Sequence, residues 1–316
     1  MLDLRRLRLL HELHRRGTVG AVAEALNYSP STVSQQLRVL EKEAGTPLFE
    51  PAGRRVQLTD AARVLATHDE QLLAAAERAE ADLAAAGHGA VAGVVRVGSF
   101  QTASLHLLLP AMAALQERHP RVDIRLVEFE TEPALEALRS HALDLVLADE
   151  WGGAPQPRWA GLDREDLFAE PVLLAIPAGH PAAQSAEVDV AGLSEASWVT
   201  GYAGGGMDAL VRRVCNGHGG FEPVIRHHTN ELSMLLALVA QGHAVTLLPE
   251  MAFADQPPGV AVRPVAGLDL DRTIFTAARA GSDHRPSLAA LRAALRDAVM
   301  SRPGRPSSRS APTGSS

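Results

Sequence analysis

The chain has 316 residues, 46% of them hydrophobic, and a formal net charge of -7, which allows two or three domains with sizeable cores. No apolar run approaches membrane-spanning length, and Met1-Leu2-Asp3-Leu4-Arg5-Arg6 lacks the apolar core of a signal peptide, so a cytoplasmic protein with no membrane partner is expected. Cys215, the single cysteine, excludes an internal disulfide and reads as a small buried hydrophobe, while the single lysine, Lys42, leaves Schiff-base chemistry no candidate in the rest of the chain.

The first helix is expected from about Asp3 to Arg16, with Leu4, Leu7, Leu10 and Leu13 covering the next two helices and Gly17 ending it. Residues 17–41 then read as two short amphipathic helices around a tight turn. Val22, Ala23 and Leu26 share one face of the first, and Val33, Leu37 and Leu40 one face of the second. Ser29 is an N-cap and Pro30 a first-turn residue, so the second helix starts with small polar groups. Ser31, Thr32, Ser34 and Gln35 suit base edges in a major groove, Pro30 adds an apolar contact, and Arg38 suits phosphate. Leu48 to Thr59 reads as a short β-wing, with Gly53 at its tip and Arg54 and Arg55 for phosphate or the minor groove. Residues 1–60 hold nine basic and seven acidic residues, leaving -9 for the remainder. Only this head has a basic surplus, and its small size calls for two heads acting together.

This order resembles the winged helix-turn-helix of the LysR-type transcriptional regulators. The likeness joins the helix pair, Leu40-Glu41, Leu48-Phe49, Arg54-Arg55 and Leu58-Thr59 without a gap, and departs at Pro51, usually basic in that family, and at Ala62, usually glycine. After the wing, Thr59-Asp60 opens a long alanine-rich helix reaching about Ala86. Leu58, Leu65 and Leu72 recur every seven residues and Ala79 and Ala86 extend the row, a narrow seam suited to a second copy of the helix. Packing on the chain's own body is the alternative, but a helix between two domains has little body to lie on.

From Val91 strands and helices alternate, which implies a mainly parallel sheet. Strands are expected at Val94–Gly98, Val122–Phe129, Leu143–Ala148, Pro171–Pro177, Trp198–Thr200, Val224–His227 and Val245–Pro249, with helices near Ala103–His119 (bent at Pro110), Pro133–Ser140, from Met207, Glu231–Gln241 and Ser287–Met300. The resemblance implies a two-lobed, periplasmic-binding-protein-like α/β sensor, with chain crossings near Leu167–Glu170 and Thr276–Gly281. The expected division is 1–58 winged helix-turn-helix, 59–89 dimerisation helix, 90–300 effector-binding domain (lobe I about 91–167 and 281–300, lobe II about 168–280) and 301–316 disordered tail.

A two-lobed α/β sensor binds its ligand at strand ends where helices begin. Ser99-Phe100-Gln101-Thr102, Thr131 and the run Gly201 to Gly206 fit, each offering hydroxyls or backbone N–H groups at a helix start, a setting for an anionic effector. These segments contain no lysine or arginine. The resemblance implies effector contacts at Ser99, Gln101, Thr102, Thr131, Gly201 and Tyr202. The plainer alternatives are N-caps at Ser99 and Thr131, a simple loop for the glycine run, and a cap with a first-turn acid at Asn230-Glu231. The chain has no Gly-x-Ser-x-Gly, Cys-x-x-Cys or His-Glu-x-x-His pattern, and His227 and His228, adjacent on a strand, point to opposite faces. No catalytic residue, metal or cofactor is expected.

The resemblance further implies a homodimer assembling to a tetramer on double-stranded DNA at an interrupted inverted repeat, with RNA polymerase as a further partner. A small-molecule binding or transport protein is the alternative reading of the sensor half; the head and the missing signal peptide argue against it.

Overall fold

The computed structural model describes residues 1–26, 28–52, 55–86, 91–152, 161–254, 257–282 and 284–302, with backbone alone at Pro51, Ala52, Arg55, Val56, Glu70 and Ala84. Gly53, Arg54 and residues 303–316, where the wing tip, one wing arginine and most of the tail were expected, lie outside the described residues.

Helix α1 (Leu4–Arg16) starts at Asp3, whose carboxylate accepts from the Arg5 and Arg6 N–H groups, and stops at Gly17 with φ 74°. Leu7, Leu9, Leu10 and Leu13 are buried, whereas Leu4, expected in that stripe, is exposed. The stripe is wider and shifted because α1 packs on two sides, against α2 (Val19–Ala25) and α3 (Pro30–Ala44) and against α4 (Asp60–Ala86). Strands β1 (Phe49–Ala52) and β2 (Arg55–Leu58) form an antiparallel hairpin with Phe49 opposite Leu58. Ala62 is fully buried in the head core, and Thr59 Oγ1 accepts from its N–H, so α4 begins regularly without the family's glycine.

The 27 residues of α4 divide by face. Ala62, Asp69, Glu77 and Ala81 are buried against the chain's own body, and Leu65 packs partly into the head core. Val64, Leu72, Ala79 and Leu83 are exposed. The helix therefore has more body to lie on than its linker position suggests: α1 covers its first half and lobe I its second.

In the sensor, β3 (Ala92–Ser99) leads into α5 (Gln101–Ala103), a π-helical turn over Ser104–Leu108 and α6 (Leu109–Arg118). Pro110 sits in the first turn of α6, where its missing N–H costs nothing, and the Leu109 N–H reaches back five residues to the Ser104 carbonyl. Then come β4 (Arg121–Glu128), α7 (Thr131–Arg139), β5 (Leu145–Trp151), β6 (Leu162–Pro177), β7 (Ser197–Thr200), α8 (Gly206–Val214), β8 (Val224–His228), α9 (Leu232–Ala240), β9 (Thr246–Pro249), β10 (Val260–Arg263), β11 (Asp271–Arg279) and α10 (Pro286–Met300).

Strands β4, β3 and β5 are parallel, and β11 lies antiparallel between β5 and the first half of β6. From Val172 onward β6 changes partners to β9 and β10, so this 16-residue strand belongs to both lobes. The first crossing thus falls at Pro171–Val172, just past its expected place. The second falls between β10 and β11, at residues 264–270; the expected place, Thr276–Gly281, is wrong because Thr276 is already paired with Leu147 of lobe I. Helix α10 returns to lobe I, where Leu288, Leu291 and Leu295 join Val95, Val97 and Leu107 in one core.

Candidate functional site

The head presents α3 outward. Pro30, Ser31, Thr32, Gln35 and Arg38 are exposed and Ser34 half-buried, with Ser31, Gln35 and Arg38 on the side opposite the buried Val33, Leu37 and Leu40. Ser29 Oγ accepts from the Thr32 N–H and lies 2.8 Å from the hydroxyls of both Ser31 and Thr32, while Ser34 donates back to the Pro30 carbonyl at 2.9 Å. These hydroxyls have local partners, whereas among the described residues no local anchor holds the exposed Gln35 amide. The Arg55 backbone lies in β2.

A cavity of about 540 Å³ opens between the lobes. It gathers helix starts: Phe100, Glu130 and Gly205 are the N-cap residues of α5, α7 and α8, none has a side-chain cap bond, and all three line the cavity. Of the expected contacts, Gln101, Thr102, Thr131, Gly201 and Tyr202 line it. Ser99 does not. Its side chain is fully buried at the end of β3, where the hydroxyl donates to the Phe100 carbonyl, because the strand turns Phe100 rather than Ser99 toward the opening.

Groups from distant segments complete the cleft. Arg272, at the start of β11, is 2% exposed. Its Nε donates to Glu170 at 3.0 Å, its Nη1 to Asp149 at 3.4 Å and its Nη2 to Thr102 at 3.0 Å, while its guanidinium lies 4.9 Å from the Phe100 ring centroid and 5.3 Å from that of Trp151. Asp149 also accepts from Thr131 Oγ1 at 2.6 Å, and the same Thr131 oxygen accepts from the Asp149 N–H at 3.0 Å. Burial pushes the Asp149 carboxyl up despite the neighbouring Arg272. Glu130 is pushed up as well, first by the desolvating cleft walls and then by the charge of Asp149. Arg213 of α8 lines the far wall, donating to the Trp151 and Gly152 carbonyls. The expectation of a cleft without arginine therefore fails: it rests on the segments just after the strands, and Arg272 and Arg213 arrive on other elements.

The lobes are laced together across this opening. Gln101 Oε1 of lobe I accepts from the Leu232 N–H of lobe II at 3.3 Å, while within lobe II Asn230 Oδ1 accepts from the Tyr202 N–H at 3.0 Å. Asn230 lines the cavity, whereas Glu231 is the cap of α9, accepting from the Ser233 N–H. Asp149 carried the same signal as Ser99, a polar residue at the end of a buried strand. Arg272 and Arg213 carried none that is local.

Lobe I also touches the head. Glu136, in the middle of α7, pairs with Arg15 and Arg16 of α1, and Arg8 donates to the Ser140 carbonyl at the end of α7. Beside this contact Arg279 donates to Glu77 of α4 at 2.7 Å, and Gly281, at φ 90°, lets the chain turn against Ala74, where a side chain would collide with the α4 backbone. His141 completes the joint with φ 59°, its Nδ1 3.3 Å from Glu77; burial, then the charges of Arg279 and Arg8, push its imidazole down to about 3.

Among the described residues no group of three His, Cys, Asp or Glu side chains is placed to hold a metal ion, and no helix is long and apolar enough to cross a membrane. Cys215 is fully buried in the lobe II core, its thiol pushed up to about 12 by burial.

Comparisons with known proteins agree on both halves. The bacterial regulatory helix-turn-helix protein of the lysR family matches residues 4–63, and the LysR substrate binding domain matches residues 88–300. The transcriptional dual regulator GltC of Bacillus subtilis is 28% identical over 277 residues, covering 86% of this chain and 89% of GltC. A probable hydrogen peroxide-inducible genes activator of Mycobacterium avium is 31% identical over 230 residues, 73% of this chain and 72% of that protein. Full-length OxyR of Pseudomonas aeruginosa, in a cysteine-to-aspartate form, superposes with a TM-score of 0.59 at 25% identity, covering 94% of this chain and 98% of that one.

Proposed function

The chain belongs to the LysR family of transcriptional regulators, a DNA-binding head joined to an effector-binding domain, and from that premise we propose how the two halves communicate. Helix α7 is the connection. It starts in the cleft, where Thr131 is bonded to Asp149, and one turn and a half later its Glu136 meets Arg15 and Arg16 of the head. An effector that binds one arrangement of the lobes better than another shifts α7, and α7 carries the shift to α1 without passing through the linker helix. Differential affinity for the two arrangements is what a ligand needs to do this.

The head reads DNA through Gln35, Ser31, Thr32 and Ser34, with Pro30 as an apolar contact and Arg38, Arg54 and Arg55 on phosphates. Two copies joined along Leu72 and Ala79 of α4, with Leu65 at the edge of that seam, bring two heads to an interrupted inverted repeat, and pairs of dimers form the tetramer. Gln101, Thr102, Thr131, Gly201 and Tyr202 contact the effector; RNA polymerase is a further partner, and the cytoplasm is where DNA is met. Residues 1–58, 59–89 and 90–300 are the working units. A reactive-thiol sensor, which the likeness to peroxide-inducible activators raises, is disfavoured by the single buried Cys215. Footprinting on DNA upstream of the protein's own gene tests the reading: the full-length chain should protect two half-sites with an unprotected gap, and protection without sequence preference would overturn it.

A further inference from the structure

The two walls of the cleft carry opposite electrical character. On lobe I, Glu130 stands at the start of α7 beside Asp149, and the cation within reach, Arg272, is already shared by Asp149 and Glu170. Those two carboxylates outnumber it before Glu130 is counted. Among the described residues no arginine or lysine pairs with Glu130; its hydrogen-bond partner is the Asn230 amide. On lobe II the opposite holds. Helix α8 starts at Gly205 without a side-chain cap, and its own first-turn acid, Asp208, is buried and bound to Thr200, Gly204 and Arg212. Gly206 lies so close to the Trp151 ring that a β-carbon would overlap it, which brings the positive end of the helix up to the cavity wall. Arg213, on the same helix, adds a full positive charge to that wall.

We infer that the cleft takes a small zwitterion of the α-amino acid class, its ammonium on Glu130 and its carboxylate against the start of α8 and Arg213. This rests on the reading of the cleft as the effector site. An anion alone, as the strand-end segments suggested, would place a further negative charge against Glu130 and Asp149. A cation alone would leave the α8 start unanswered and Arg213 with carbonyls but no anion to meet its charge. A ligand with both charges satisfies each wall and gains most when the lobes approach, because its two ends bind different lobes. Phe100 and Trp151 supply aromatic surface for the ligand's remaining atoms, and the cavity volume is in the range of small-molecule pockets.

The experiment uses the full-length protein and calorimetric titration with the twenty protein L-amino acids at up to roughly 10 mM. Each binder is then compared with its des-amino carboxylic acid and its decarboxylated amine. At least one amino acid should bind, and both truncated analogues should bind at least about ten-fold more weakly. Glu130→Gln should weaken the amino acid by about ten-fold or more while leaving the des-amino acid unchanged or tighter, and Arg213→Gln should weaken the amino acid and the des-amino acid together. No amino acid binding, or a carboxylate that binds as tightly as its amino acid, would overturn the ligand class. If such a carboxylate lost affinity in Arg213→Gln, the cleft would stand as the site and the zwitterion alone would fall. Amino acid binding indifferent to both substitutions would remove the cleft as the site and the inference with it.

Discussion

The recognition helix and the cleft carry polar groups in opposite states. On α3, Ser31, Thr32, Gln35 and Arg38 stand in solvent, and among the described residues no distant segment holds them in place. In the cleft, Arg272 answers Glu170 and Asp149, Asp149 answers Thr131, and Arg213 answers two carbonyls. The difference comes from what each surface meets. On the proposed reading these groups meet a duplex, which arrives with its own dense charge and releases counterions on contact, so they work well from water. A cleft walled by protein holds its charges in a poorer solvent, where an unanswered ion costs several kcal/mol, so the fold compensates most of them before any ligand arrives.

That contrast breaks most sharply at Arg272. Arg272→Ala leaves Glu170 and Asp149 buried without their cation and should lower stability by about 3–5 kcal/mol in urea denaturation. A loss below about 1 kcal/mol would class the cluster with exposed ion pairs. The outward row of α4 is the next test. Leu72→Asp places a charge on an exposed position of one copy and in the seam of two, so it should cost several kcal/mol of self-association with the isolated fold intact; sedimentation showing a wild-type dimer would turn the row toward water. Leu65→Asp is less informative, because Leu65 also packs into its own head.

On the solvated side the effects are smaller and more selective. Gln35→Ala should lose roughly 1–3 kcal/mol of discrimination at one base pair in gel shifts, with general affinity retained. Unchanged preference for operator over scrambled DNA would remove Gln35 from base reading. The joint between the regions is tested by pH. His141 titrates far below its ordinary value in the fold, so between about pH 6.5 and pH 3 the unfolded chain binds the extra proton and stability falls as pH falls. His141→Asn, which tolerates φ 59°, should remove a slope of at most about 1.4 kcal/mol per pH unit between pH 6.5 and 5. Identical slopes in the two proteins would show the imidazole to be solvated.

The same contrast explains what the sequence made legible. The exposed face of α3 comes from ten consecutive residues whose period and caps are local, and the structure places Ser29, Pro30 and Val33 where those signals put them. The cleft is assembled from segments more than one hundred residues apart, so Gln101, Thr131 and Tyr202 could be named from strand ends while Arg272 and Arg213 could not. The first half of β6 shows a second limit. Leu162-Asp163-Arg164-Glu165-Asp166 has no apolar run, yet it is a strand because β11 pairs with it, Arg164 lies 4.0 Å over the Phe275 ring, and Asp163 and Glu165 meet Arg292 and Arg296 of α10. In α4 the heptad row is visible, but which of its members faces the chain's own body is decided by α1 over its first half and by the turn at Gly281 over its second.

The central claim is that α7 joins the cleft to the head, and linkage makes it testable from the DNA side: if an effector in the cleft biases the head, DNA on the head must bias the cleft. Hydrogen exchange of the full-length protein, with and without saturating operator DNA, measures this at residues 131–139. Exchange along α7, including its Thr131 end, should change on DNA binding in the wild type and stay unchanged in Glu136→Gln bound to the same DNA. A change confined to residues 1–60, with α7 identical in the free and bound wild type, would contradict the account.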